Sequence, residues 1–276
     1  MRKPILDPVI NYVSFNELKF PKIVYKYRAV NDIYHKSILT EQSVYFAPPN
    51  TFEDELDCRI QERFDLLNDE DIYNQYYKIL QQQNPTVDTE VIKNEVVKWT
   101  SLGMLKDKVR LQAMEEFFWE EFNERFGVLS LTKNNHSLRM WTKYADDFNG
   151  FCVGFKPEIL FSRAGGGGIV NYVKDLPLIH PFDSPETKRN LLTFYKLLKW
   201  KFEGEYRLQK MWDHPITIKE RKVIIPSEGF SRLILGQNVT NDLRIEITKQ
   251  AKLINPNINI SIAVKNNGKV YLRPLL

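Results

Sequence analysis

Cysteine is almost absent. Cys58 and Cys152 are the only two, and they form no CxxC pair. A disulfide framework or a thiolate zinc site is therefore not expected, and a reducing, cytoplasmic setting fits. Histidine is equally scarce: His35, His136, His180 and His214 include no pair at ligand spacing on a helix, so no metal is expected. No apolar run approaches the roughly eighteen residues of a membrane span, and no membrane partner is expected. The first ten residues, MRKPILDPVI, start basic, but Pro4, Asp7 and Pro8 interrupt the apolar run, which is not the pattern of a secretory signal. Charge of one sign is also lacking. Lys and Arg number 39 against 35 acidic residues, for a net charge of +4, with no basic stripe or tail. That balance permits a polyanionic partner without requiring one. There is no internal repeat.

What is present is apolar and aromatic material. Of 276 residues, 43% are hydrophobic and 13% aromatic, enough for a substantial core. The order of elements predicts an α+β fold, with a mainly antiparallel mixed sheet and a helical insertion. The expectation is a single domain over 1–276 with a helical lobe at 65–126. A strand is expected over Ile23–Arg28, then a short helix capped by Asn31 or Asp32, then a strand at SVYFA ended by Pro48-Pro49. From Glu70 to Phe126 glycine is rare and apolar residues recur three and four apart, with one break at Asn84-Pro85. Strands follow at VLSLT and GFCVGF, around a helix at SLRMWTKYA. Ser184-Pro185 opens a helix expected to run to Lys199. WKFEGEYRL, RKVIIP and RLILG read as strands, TNDLRIEITKQAKL as a helix, and INISIAVK with KVYLRPL as a hairpin turning at Asn266-Asn267-Gly268.

Several stretches imitate sites. Gly165–Gly168 suggests a phosphate cradle, but no Lys-Ser or Lys-Thr follows, and a loop is the better expectation. In DDFNG, placing Gly150 at the sixth position of a calcium loop puts Ala145 first and Lys156 last, neither a ligand. FEDELDC, at Phe52–Cys58, carries four carboxylates. It is either a solvated loop or part of a metal-dependent nuclease in which Asp54, Asp57 and Glu205 meet. Trp141 and Tyr144 share a helix three residues apart, as core or as a stacking platform for a ring. In WKFEGEYRL a period of two places Trp200, Phe202, Gly204 and Tyr206 on one face. Glu203, Glu205 and Arg207 then fall on the other, away from the core.

Taken together, YKYR at Tyr25–Arg28, VYFAPPNTFEDELDC at Val44–Cys58, GVLSLTKNNHSLRMWTKYADDFNGFCVGF at Gly127–Phe155, IVNY at Ile169–Tyr172, KWKFEGEYRL at Lys199–Leu208 and LILG at Leu233–Gly236 resemble a bacterial family. It is known as the domain of unknown function numbered twenty-nine seventy-one. Where that family usually has Asn-Asp-Pro-Phe-Asp, this chain has Glu53-Asp54-Glu55-Leu56-Asp57. A looser resemblance is to ADP-ribosyltransferases of the arginine–serine–glutamate type, in the order Arg28, Ser130-Leu131-Thr132, Glu203-Gly204-Glu205. This resemblance implies NAD as substrate and an ADP-ribosyltransferase-like fold. It implies that Arg28 holds a phosphate, that Ser130 orients the nicotinamide-side pocket, that Glu205 stabilises an oxocarbenium-like transition state and that Glu203 activates the acceptor; Tyr25, Thr132 and Trp141 are expected to bind the nucleotide beside them. By analogy it also implies a toxin or a phage-defence role, with a protein or nucleic-acid acceptor. Against it stand a nucleic-acid-binding or nuclease module and a non-catalytic partner-binding protein. The oligomeric state is left open.

Overall fold

The strand at Val24–Arg28 (β1) shows how the sequence builds the fold. Alternation sends Tyr25 and Tyr27 to one side, where they join Trp141, Phe148, Cys152 and Ile234 in a buried cluster. Val24, on the opposite side, joins the largest apolar cluster, and Lys26 and Arg28 share its face of the strand. A computed structural model describes residues 21–30 and 33–275. The cap expected at Asn31 or Asp32 lies outside the described residues.

Along the chain follow α1 (Ile33–Thr40) and β2 (Ser43–Tyr45), then three helices, α2 (Asp69–Gln83), α3 (Thr89–Ser101) and α4 (Lys108–Arg125). Next come β3 (Phe126–Thr132), α5 (Leu138–Tyr144), β4 (Phe151–Phe155), α6 (Pro157–Ala164), β5 (Gly167–Ile169), β6 (Asn171–Val173) and α7 (Pro185–Phe194). The last part is β7 (Tyr195–Leu197), β8 (Glu205–Met211), β9 (Lys222–Ile224), β10 (Phe230–Gly236), α8 (Asn241–Ile254), β11 (Asn259–Asn266) and β12 (Lys269–Pro274).

Among the described residues, eight strands form one mixed sheet in the order β12-β11-β10-β4-β1-β3-β8-β5. Every pairing is antiparallel except β10 with β11, which α8 connects. The class is α+β with a mainly antiparallel mixed sheet, as the order of elements predicts. β2 pairs with β9, and β6 with β7, in two small ribbons.

The sheet is almost parted in the middle. β4 pairs with the whole of β1, and β8 with the whole of β3. β1 and β3 meet at one register pair, Tyr25↔Thr132. Beyond it β3 turns to a different partner: Ala47, just after β2, bridges Val128. The wedge between β1 and β3 is thus lined on one side by strands and on the other by the loop that carries FEDELDC.

The helical stretch breaks twice, not once. Besides Asn84-Pro85, a second turn holds Gly103 in the left-handed region at φ +62°, and the Asp107 side chain then caps α4. α2 opens with a reciprocal cap between Asn68 and Asp71. α2 and α3 enclose their own apolar cluster of Ile72, Tyr76, Leu80, Ile92 and Val96.

Two expectations are corrected. The helix opened by Ser184 ends at Phe194 instead of Lys199, because β6 captures Tyr195–Leu197 as a parallel strand. WKFEGEYRL is not a continuous strand: Leu198–Glu203 is a 3-10 turn, and the strand begins at Glu205. The hinge is Gly204, left-handed at φ 54° and ψ 51°. The period of two therefore does not cross it, and both glutamates are buried, at 2% and 4% exposure, not on a wet face.

Candidate functional site

Glu205 and Arg207 are two apart on β8 and so share a face. Arg207 is fully enclosed. Its fork reaches Asp57 through Nη1 and Nη2, both at 2.7 Å, and Glu205 through Nε at 2.8 Å and Nη2 at 3.1 Å. Nη1 also donates to the Thr193 carbonyl at 3.0 Å. Lys196, projecting from β7, lies 2.6 Å from Glu203, 2.9 Å from Glu205 and 3.0 Å from Asp57. The Tyr144 hydroxyl, at the end of α5, donates to Glu203 Oε1. The Tyr172 hydroxyl, on β6, accepts from the Glu205 backbone N–H at 2.9 Å. The Thr132 hydroxyl donates to the Glu203 carbonyl at 2.6 Å and accepts from the Asn134 N–H at 3.0 Å, clamping the Gly204 turn.

Three carboxylates, those of Asp57, Glu203 and Glu205, thus share two buried cations, Lys196 and Arg207. One negative charge is unmatched, and it falls on Glu203. Burial, then the neighbouring Glu205 carboxylate, raises Glu203 from the ordinary glutamate value to about 7. Burial works in the same direction on Glu205, but Arg207 and Lys196 overcome it and hold that carboxyl well below the usual range. Burial would lower Lys196, yet Glu205 and Asp57 hold it charged above the usual lysine range. Burial first, then Glu203, pushes the Tyr144 phenol up. Two adjacent carboxyl groups are driven apart, one fixed as an anion and one able to exchange a proton near neutrality.

The cluster forms one wall of a cavity of about 340 Å³ at the β1–β3 wedge. Of the residues singled out in the sequence, Glu203, Glu205, Arg28, Tyr25, Ser130 and Thr132 line this cavity. Trp141 does not. It is fully buried, stacked on Phe148 at 5.4 Å and edge-on to Tyr27 at 5.1 Å, and its indole N–H donates to the Asn135 carbonyl at 2.9 Å. Its neighbour Tyr144 lines the cavity instead. The Tyr25 hydroxyl is taken by Asn135 Nδ2 at 2.9 Å. Lys26 opens onto the cavity and donates to the Ser130 carbonyl at 2.7 Å.

Over the cavity runs the acidic loop. Asp57 roots it on Arg207, Glu53 is 2.5 Å from Lys143, and Asp54 is 3.3 Å from Lys199. Of Asp54, Asp57 and Glu205, which a nuclease would bring together, Asp57 and Glu205 are bridged by Lys196 and Arg207, while Asp54 pairs with Lys199. Among the described residues no group of three or more His, Cys, Asp or Glu side chains is placed to hold a metal ion. Arg207 pairs with Glu205, its neighbour on the same strand face, and with Asp57 from the acidic loop, and not with Glu203. Lys26, Lys196 and Tyr172 were missed as site residues. The helical pattern after Ser184 runs past Lys196, and a lone lysine or tyrosine carries no spacing signal.

No family model, curated protein or solved structure matches the chain. Among the described residues no helix is long and apolar enough to cross a membrane.

Proposed function

We propose that the cavity is the active site of an enzyme acting on NAD or a related nucleotide, which cleaves the bond between ribose and nicotinamide and passes the ADP-ribose to water or another acceptor. The observation that carries this reading is the pair of glutamates with opposed proton affinities on the wall of a cavity that Arg28 and Ser130 also line. Cleavage of that bond builds positive charge on the ribose. A carboxylate held where water is excluded stabilises such charge, and a carboxyl titrating near neutrality can take the acceptor's proton. The geometry favours a division of labour. Glu205 has both oxygens engaged by cations, so it acts by orienting Lys196 and Arg207. Glu203, once ionised, supplies the unmatched negative charge and the base. Arg28 offers a forked donor to a phosphate. The volume suits one end of a dinucleotide, with the remainder outside, since sites for small molecules begin at about 300 Å³. The order of motifs shared with the ADP-ribosyltransferases supports the same reading, and the resemblance to the bacterial family of unknown function is compatible with it.

The test is calorimetric titration with NAD while nicotinamide release is followed in the same sample, for the parent and for Glu203→Gln. The expected outcome is binding by both and release by the parent alone, with kcat/KM rising with pH through about 7 as Glu203 ionises. Absence of both heat and release in the parent would overturn the proposal. A second reading would then lead, in which the ion network serves the fold alone. The fourfold commitment of Arg207 to Asp57 and Glu205 favours it.

A further inference from the structure

Among the residues that line the cavity is Lys26, for which the reaction above has no use. It lies at the centre of β1, where the strand parts from β3. There the Ser130 carbonyl accepts a hydrogen bond from Lys26 Nζ at 2.7 Å. Among the described residues the Lys26 amine makes that one hydrogen bond and no ion pair, because Lys196 and Arg207 have taken the three nearby carboxylates. The charges facing it are Arg28 and Arg207, which disfavour an ammonium, and Glu205 and Glu203, which favour one. Burial and Arg28 prevail and pull the amine well below the usual lysine range. A lysine enclosed beside other cations keeps its lone pair and is the form that attacks a carbonyl carbon.

We propose that Lys26 is a covalent site, whose ε-amine condenses with the carbonyl carbon of a phosphate-bearing aldehyde held in the cavity. The nitrogen lone pair forms the C–N bond, and the carbonyl π pair moves to oxygen. A proton passes from nitrogen to that oxygen to give a carbinolamine. Its hydroxyl leaves as water on taking a proton from the Glu203 carboxyl, and the iminium nitrogen returns a proton to Glu203. The net change is amine plus aldehyde to imine plus water. Arg28, on the same strand face and lining the same cavity, provides the seat for the phosphate. Sugar phosphates that open to an aldehyde belong to this class. So does ADP-ribose, whose relevance alone rests on the NAD reading.

The experiment incubates the folded protein with ribose 5-phosphate and cyanoborohydride and quantifies each modified lysine by peptide mass. Lys26 is expected to be labelled about tenfold faster than the exposed Lys98 and Lys199, since a free amine reacts and an ammonium does not. Labelling of Lys26 no faster than of those two would overturn the proposal. Equal labelling by ribose, which lacks the phosphate, would overturn the choice of ligand class. Nicotinamide release, assayed on unlabelled protein, separates the two ideas. Protein that labels at Lys26 but releases no nicotinamide supports the covalent site and removes NAD. Protein that releases nicotinamide but does not label at Lys26 removes the covalent site alone.

Discussion

Asp57 shows what a single buried carboxylate does here. It is 5% exposed and receives two parallel hydrogen bonds from Arg207 while lying 3.0 Å from Lys196. Asp57→Asn keeps the volume and removes the charge, leaving Arg207 in the interior with one anionic partner in place of two. The two remaining carboxylates still match the two cations, so the expected cost is that of a lost hydrogen bond to a charged group, about 1.5–3 kcal/mol. Urea denaturation is expected to show that loss. Glu90→Gln, which removes the exposed Lys93–Glu90 pair, leaves the midpoint where it was. An equal response of the two variants would mean that the Asp57 network contributes no more than a surface pair.

At the scale of the element, the decisive feature is the junction between the 3-10 turn and β8. Glu203 ends one and Glu205 begins the other. Their side chains converge on Lys196 because Gly204 takes a left-handed conformation between them. A Cβ at Gly204 would also stand 2.9 Å from Asn134 Nδ2. Gly204→Ala is expected to cost about 1–2 kcal/mol from the backbone conformation. The Asn134 amide must also move, which disturbs the Thr132 clamp on the same turn. Thermal unfolding measures the first effect. The second appears as a pH dependence of nicotinamide release displaced from that of the parent, since the Glu203–Glu205 geometry sets where Glu203 titrates. An unchanged melting temperature would show that the turn tolerates a side chain.

For the whole molecule, the network makes stability depend on pH in two opposed ways. Glu203 is raised in the folded state, so its contribution is fully present below its ordinary value near 4.5 and is lost as pH rises through about 7. Glu205 is depressed, so its contribution is present above its ordinary value and is lost as pH falls towards its folded one. The parent is therefore expected to lose melting temperature, relative to Glu203→Gln, between about pH 5 and about pH 8. The glutamine imitates the protonated state and removes that slope. Parallel melting curves for the two proteins across this range would show that Glu203 titrates alike in the folded and unfolded chains. The same buried charge sits where the sheet is weakest, at the single β1–β3 register pair. Beside that pair, a side-chain bond from Lys26 Nζ to the Ser130 carbonyl, at 2.7 Å, also joins the two strands.

Much of the fold was legible because burial leaves a period. Tyr25 and Tyr27 alternate with Lys26, GFCVGF lacks polar residues because apolar clusters cover both faces of β4, and Asn267-Gly268 turns the last hairpin. Several residues that line the cavity were legible too, Glu203 and Glu205 as a short charged motif, Arg28 and Ser130 through the resemblance in motif order. The chain alone did not determine which way those residues face. Glu205 and Arg207 do alternate with Tyr206 and Leu208, but Asp57, Thr193 and Lys196 cover their face while the large apolar cluster covers the other, so both faces are buried. Nor could it pair Asp57 with Arg207, 150 residues apart, or draw Lys196 out of a helix, because a parallel partner strand and a buried counter-charge are long-range effects. Composition and local pattern determined the class and the elements. Tertiary contact alone decided which carboxylates share a cation, and with that which of them can hold a proton.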